Sequence, residues 1–372
     1  MILTKEYTQI LFLLFGTLLL FIILYSIREL KFIYKLHNSL PYIKESKTVN
    51  TPSDKTWLIH AYVPDHNAGS EWMAHAINTY LTREKGERIN VIANETSVPM
   101  YDSVKIYSIN DIELPSIINK SDLLFSHHTM EPNAVKTALV CKKPIVLLMH
   151  DHGRKRYLRE YKRILPNNVY IIHNSKWIQE WYSEYNFPSF VLYPPVDWKE
   201  YAVERKRDYI TLINCNQNKG GHILIEIAKK MPDVQFLGVM GAYNKQIINK
   251  NIVNIRYIDS TPNIKEVYAR TDILLMPSKE ESWGRTAVEA MSSGIPVIVH
   301  PTPGLKESCG SAGIYCDRDS IDHWVKEIRK LKTDDAYYKT KSEACKRRAI
   351  ELDPEPQLEA LSKWLRTIQW KD

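Results

Sequence analysis

Between residues 55 and 300, short runs rich in Val and Ile alternate with longer amphipathic stretches, and this alternation restricts the chain to few folds. The runs are Trp57 to Val63, Ile89 to Ala93, Asp122 to Phe125, Ile145 to Met149 and Val169 to Ile172, then Tyr209 to Ile213, Val234 to Gly238, Ile252 to Ile258, Ile273 to Met276 and Ile295 to Val299. Such a pattern predicts parallel sheets covered by helices. In the first helical stretch Met73, Ala76, Ile77, Tyr80 and Leu81 recur at helical spacing, and Gly86 stands where a left-handed cap would end it. Two α/β layers suit the runs better than one sheet. The joint falls at Tyr193-Pro194-Pro195-Val196-Asp197, because two prolines cannot sit inside a helix or a central strand.

The N-terminus has a different composition. Ile10 to Ile27 carry no charge and are dominated by Leu, Ile and Phe. As a helix they would reach roughly 27 Å, enough to span a bilayer. Leu24, Tyr25, Ser26, Ile27 and Arg28 offer no small-residue cleavage site, so a retained anchor is expected and not a cleaved signal. Arg28, Lys31 and Lys35 outnumber Lys5 across this run, which predicts that the rest of the chain is cytosolic. The expected plan is a tail over 1–9, an anchor over 10–27, a tether over 28–52, Rossmann-like domains over 53–196 and 207–350, and a last helix within 355–372.

The formal net charge of +7 is modest and the basic residues are spread out, so no nucleic-acid partner is expected. Cys141, Cys215, Cys309, Cys316 and Cys345 are odd in number and form no C-x-x-C pair. They suit free thiols in a reducing compartment.

The most informative segment runs from Pro277 to Met291. A buried strand ends at Met276, a loop carries Glu281, and Ser282 or Gly284 opens a helix that contains Glu289. The first backbone N–H groups of that helix, at Gly284, Arg285 and Thr286, would be unpaired donors at a positive helix end, suited to a diphosphate. Glu281 and Glu289 can then reach different parts of one extended ligand, since carboxylates accept well from sugar hydroxyls.

With E-S-W-G-R-T-A-V-E, the following A-M-S-S-G-I-P-V-I and the loop Pro303-Gly304-Leu305-Lys306-Glu307, the stretch from Asp272 to Glu307 resembles the donor site of the family-4 (group 1) retaining glycosyltransferases. The resemblance implies the GT-B fold, two Rossmann-like domains facing a cleft, with the last helix crossing back onto the first domain. It implies a nucleotide diphosphate sugar as donor, with Glu281 on the sugar and Glu289 on the ribose. Lys219, in Asn214-Cys215-Asn216-Gln217-Asn218-Lys219-Gly220-Gly221, matches the lysine that neutralises the pyrophosphate. The family more often has arginine where Asn214 stands; Arg285, beside the same helix end, either makes up that charge or is a surface arginine. Gly69, in Asp65-His66-Asn67-Ala68-Gly69-Ser70-Glu71, matches the glycine loop that approaches the phosphates and the acceptor; His150 matches the active-site histidine.

What the resemblance implies is a retaining, metal-independent hexosyltransferase needing no cofactor, with a glycan, lipid-linked or protein acceptor at a membrane. A sugar-nucleotide epimerase and an inactive binding protein of similar fold are the alternatives. The four histidines from His127 to His152 show no metal-site spacing, and Asp317-Arg318-Asp319 comes too late in the chain for a metal-binding D-x-D. The basic run from Arg154 to Arg163 is either a solvated helix face or a surface for anionic lipid.

The predicted orientation has a direct test. Asn94-Glu95-Thr96 and Asn119-Lys120-Ser121 are glycosylation sequons that only a lumenal chain would present to the transferase. Expressed in a eukaryotic host, the chain should carry no glycan at either; glycan at one of them reverses the orientation.

Overall fold

The computed structural model describes residues 54–371, apart from 67, 242 and 243. The expected tail, anchor and tether lie outside the described residues, among which no helix is long and apolar enough to cross a membrane.

The chain builds two sheets in turn. Strands β1 (Asp54–Ala61), β2 (Arg88–Glu95), β3 (Met100–Tyr101), β4 (Val104–Ser108), β5 (Leu123–His127), β6 (Ile145–Met149), β7 (Val169–His173) and β8 (Ser189–Val191) form the first. Its order is β3-β4-β2-β1-β5-β6-β7-β8, parallel throughout except where β3 meets β4. Strands β9 (Tyr209–Ile213), β10 (Phe236–Val239), β11 (Ile255–Ile258), β12 (Thr271–Met276), β13 (Val297–Val299) and β14 (Ile314–Tyr315) form the second, ordered β11-β10-β9-β12-β13-β14 and wholly parallel.

Each run of Val and Ile picked out in the sequence overlaps one of these strands. β3, β4, β8 and β14 were not expected: all lie at or next to a sheet edge, and three are two or three residues long. Runs that short bury too little to leave a hydrophobic signature.

Strand direction places the site. In each sheet the chain leaves a central strand in both directions, β1 lying between β2 and β5, and β9 between β10 and β12. The carboxyl ends at such a reversal leave a crevice between the outgoing loops. Both crevices open into a single cleft of 1490 Å³ between the domains.

Elsewhere the packing is ordinary core. Trp57 of β1 sits opposite Val91 and Phe125 in the two neighbouring strands and stacks on the Phe125 ring at 4.8 Å. The helix Gly69–Lys85 covers that face and ends at Gly86, whose φ of 65° is the left-handed geometry a side chain would strain. The helix Pro354–Leu365 follows the second domain in sequence but packs Leu358, Leu361 and Leu365 into the core of the first. Tyr80 donates to Glu359 at 2.8 Å, and Asn168 exchanges two 2.7 Å hydrogen bonds with the backbone of Lys371, so the C-terminal segment fastens the domains to each other. All five cysteines are buried and free.

Candidate functional site

The site is organised by the turn between β12 and the helix Arg285–Ser292. Gly284 caps that helix with φ 99°, and a Cβ there would fall 2.5 Å from Leu305 Cδ2. The loop before it lies directly on Gly304, where a Cβ would come within 2.4 Å of the Glu281 carbonyl oxygen and 2.5 Å of the Ser282 carbonyl carbon. Backbone contact of this kind tolerates only glycine.

This turn sends the two glutamates to different places. Glu281 Oε1 accepts from Ser278 Oγ at 2.9 Å and from Lys219 Nζ at 2.5 Å, so an ion pair bridges the turns that follow β9 and β12. Glu289 is buried one turn inside the helix. Its Oε2 accepts from Tyr268 Oη at 2.7 Å and its Oε1 from Arg285 Nε at 2.6 Å, which leaves one lone pair on each oxygen for a ligand hydroxyl.

Arg285 is committed to protein partners. Its remaining donors go to the Pro195 carbonyl at 2.8 Å and to Tyr201 Oη at 3.0 Å. The side chain is turned along its own helix towards Glu289 and the domain joint. Four residues of helical spacing make the Arg285–Glu289 pair the nearest available partnership for a guanidinium leaving water. Arg285 therefore orients Glu289.

Asn214 has a left-handed backbone, φ 70°, and accepts through Oδ1 from Gln246 Nε2 at 3.2 Å and from the Asn216 amide at 3.3 Å. It shapes the turn. The Lys219 amide donates to Asn216 Oδ1 at 2.8 Å, and Gly220, φ 94°, opens the helix Gly221–Lys230. Sequence reasoning missed Arg318, whose guanidinium donates to the carbonyls of Gln217, Asn218 and Pro277 and so straps the two turns together. Only its flanking aspartates drew notice in the sequence; Asp317 Oδ1 accepts from the Asp319 amide at 2.9 Å, a local turn.

Across the cleft, Gly69 begins the helix Gly69–Lys85 with nothing within 4 Å of where a Cβ would stand, which leaves its backbone open to a ligand. His150 follows β6 and faces His127 and His128, with ring centroids 5.3 and 4.9 Å away. One nitrogen from each ring lies within 4.8 Å of the others. Burial lowers the pKa of all three, so the imidazoles are neutral at pH 7 and could hold a metal ion. No metal-ligand spacing is visible along the chain because the residues come from the ends of two neighbouring strands. Against a cation stands Arg154, which donates to His128 Nδ1 at 3.3 Å and puts a fixed positive charge beside the group.

Residues 196–351 match the family described as glycosyl transferases, group 1. The D-inositol 3-phosphate glycosyltransferase of Corynebacterium glutamicum is 36% identical over 85 residues, covering 22% of this chain. The chain spans about 20% of the length of that relative. Among solved structures, HepE of Anabaena in complex with UDP and glucose superposes with a TM-score of 0.69 at 16% identity, over 85% of this chain and 100% of that one. The sucrose-phosphate synthase of Thermosynechococcus elongatus gives 0.68 at 14% identity, over 85% and 99%.

Burial also acts on Glu131, beneath the histidines, whose pKa it raises to about 8. A folded pKa above the unfolded value means that stability is full below about 4.5 and is lost as pH rises towards 8, because ionisation then favours the unfolded chain. Glu131→Gln, which stays neutral, should melt progressively higher than wild type as pH is raised from about 5 to 8. A constant difference in melting temperature across that range would show that Glu131 does not titrate there.

The described residues have the two-domain GT-B fold, and Lys219, Glu281 and Glu289 lie within the stretch that matches the group 1 glycosyl transferase family.

Proposed function

We propose that this chain transfers a hexose from a nucleotide diphosphate sugar to an acceptor hydroxyl with retention of configuration, without a metal, in glycan or glycolipid assembly at a membrane. The observation that carries the proposal is the placement of Glu281, Glu289 and Lys219 around one glycine-capped helix end.

On this reading the diphosphate lies against the backbone N–H groups of Gly284, Arg285 and Thr286, where the helix end favours negative charge. Lys219 is released from Glu281 to meet the phosphates. Glu289, held by Tyr268 and Arg285, accepts from the ribose hydroxyls, and the freed Glu281 accepts from the sugar. His150 presents a neutral imidazole from the opposite wall. Glu281 serves hydroxyls and not the anomeric carbon, so the leaving diphosphate takes the acceptor proton on the face it departs from, which retains configuration. The protein supplies position and charge.

The roles of the two glutamates separate experimentally. Glu289→Gln should weaken binding of both the free nucleotide diphosphate and the full donor, while Glu281→Gln should leave nucleotide affinity nearly intact and slow transfer, the lost bond being worth about 1.5–3 kcal/mol. Calorimetric titration beside a transfer assay decides it. Wild-type nucleotide affinity in both variants, with transfer unimpaired, would remove this helix end as the donor site.

The anchor over 10–27 would hold both domains against the cytosolic face of the membrane. On the helix Lys155–Ile164 the basic residues divide into two groups. Lys155 pairs with Glu184 at 2.9 Å and Lys162 donates to the Asn186 carbonyl at 3.1 Å, whereas Arg156, Arg159 and Arg163 are exposed. Their spacing puts these three on one outward face, suited to anionic headgroups. Replacing Arg156, Arg159 and Arg163 by Ser should weaken binding to phosphatidylserine vesicles, with a difference that shrinks as salt rises. Equal binding at low salt would leave only a solvated face.

A further inference from the structure

The loop between Glu281 and Gly284 is held from the other domain as well as its own. After β7, Asn174 Nδ2 donates to Ser282 Oγ at 2.8 Å, and Trp177 Nε1 donates to the Ser282 carbonyl at 2.6 Å. Ser282 thus meets the N-terminal domain through both its side chain and its backbone. A second contact runs the opposite way. Glu307, in the C-terminal-domain helix Pro303–Cys309, accepts from the backbone amides of Lys176 and Trp177 at 2.7 and 3.2 Å.

These amides open the helix Lys176–Trp181, whose N-cap Ser175 makes no side-chain capping bond. A carboxylate on such amides makes charge-assisted hydrogen bonds, roughly twice as strong as neutral ones. The ring of Tyr193 stacks on Trp283 at 5.6 Å, so the residue after Ser282 is also covered from the domain joint. Asn174 is fixed in turn by Ser175 Oγ, which donates to its Oδ1 at 3.1 Å, and by its amide bond to the Met149 carbonyl at 3.3 Å, one residue before His150.

We propose that Asn174, Trp177 and Glu307 are positioning residues that set the Glu281–Gly284 loop in its working geometry, so that the sugar end of the donor site is completed by the opposite domain. This rests on the donor site described under the proposed function. Ser282 is the direct neighbour of Glu281, and hydrogen bonds at its Oγ and carbonyl fix the peptide planes on which the Glu281 carboxylate rides. Glu289 sits inside a helix of the C-terminal domain and needs no such support. Loss of the contacts should therefore reach the sugar and leave the nucleotide alone.

The test uses the full chain and the variants Glu307→Gln, Asn174→Ala, Ser282→Ala and the double variant Asn174→Ala/Ser282→Ala. Hydrogen exchange of the peptide spanning residues 278–285 reads the contact without any substrate: exchange should quicken in Asn174→Ala and Glu307→Gln. In the transfer assay kcat should fall about tenfold in each, with KM for the donor and affinity for the free nucleotide diphosphate changed less than about twofold. The double variant should be no slower than Asn174→Ala alone, since both substitutions remove one bond. Unchanged exchange and kcat in both single variants would overturn the proposal, as would fully additive losses in the double variant. A wild-type chain that binds no nucleotide diphosphate would instead sink the donor site itself, whatever the exchange shows.

Discussion

A left-handed glycine at the end of a buried strand is the constraint on which the site depends. Gly284 lets the chain leave β12, turn without a Cβ against Leu305, and start a helix whose first amides face the cleft. Gly304 matters from outside the turn, because its missing side chain is the space in which the Glu281–Ser282 backbone lies. With both glycines in place, Glu281 stands in a loop at the cleft surface and Glu289 is carried inward on a rigid element. Two identical side chains thereby acquire different surroundings: one an ion pair to a flexible lysine, the other a buried carboxylate held by a tyrosine and an arginine.

The buried carboxylate also organises the joint. A guanidinium that satisfies Glu289 still has donors to place, and it places them on Pro195 and Tyr201, the first residues after the N-terminal domain. Tyr201 in turn accepts Ser293 Oγ at its carbonyl, which ties the far end of the same helix to the joint. One polar network therefore serves ligand geometry and domain connection together. Burial makes this economical, since each of these groups would be costly left unpaired.

The cleft walls differ in kind. On the C-terminal side the groups are charged and already paired with one another, Lys219 with Glu281 and Arg285 with Glu289. On the N-terminal side they are imidazoles made neutral by burial, with indole rings at the rim.

The strand runs, the helix at 69–85 with its glycine cap and the spacing of Glu281 and Glu289 were legible in the chain because each rests on local periodicity or on short spacing across one turn, whereas Lys219 was singled out by resemblance alone. The partners of Arg285 were not legible in the same way: spacing puts it at the helix start, but only the fold brings Pro195 and Tyr201 within reach of its guanidinium. Arg318 straps one turn 41 residues away to another 100 residues away, and the three imidazoles meet from neighbouring strands; neither pattern has a period or a fixed interval to detect. The hold of Asn174, Trp177 and Glu307 on the donor loop exists only because two separately folded sheets face each other. The sequence determined the elements and the chemical kinds of side chain at their ends, since these depend on neighbours along the chain; the partners of those side chains were decided by tertiary structure, because hydrogen bonds and ion pairs depend on distance in space.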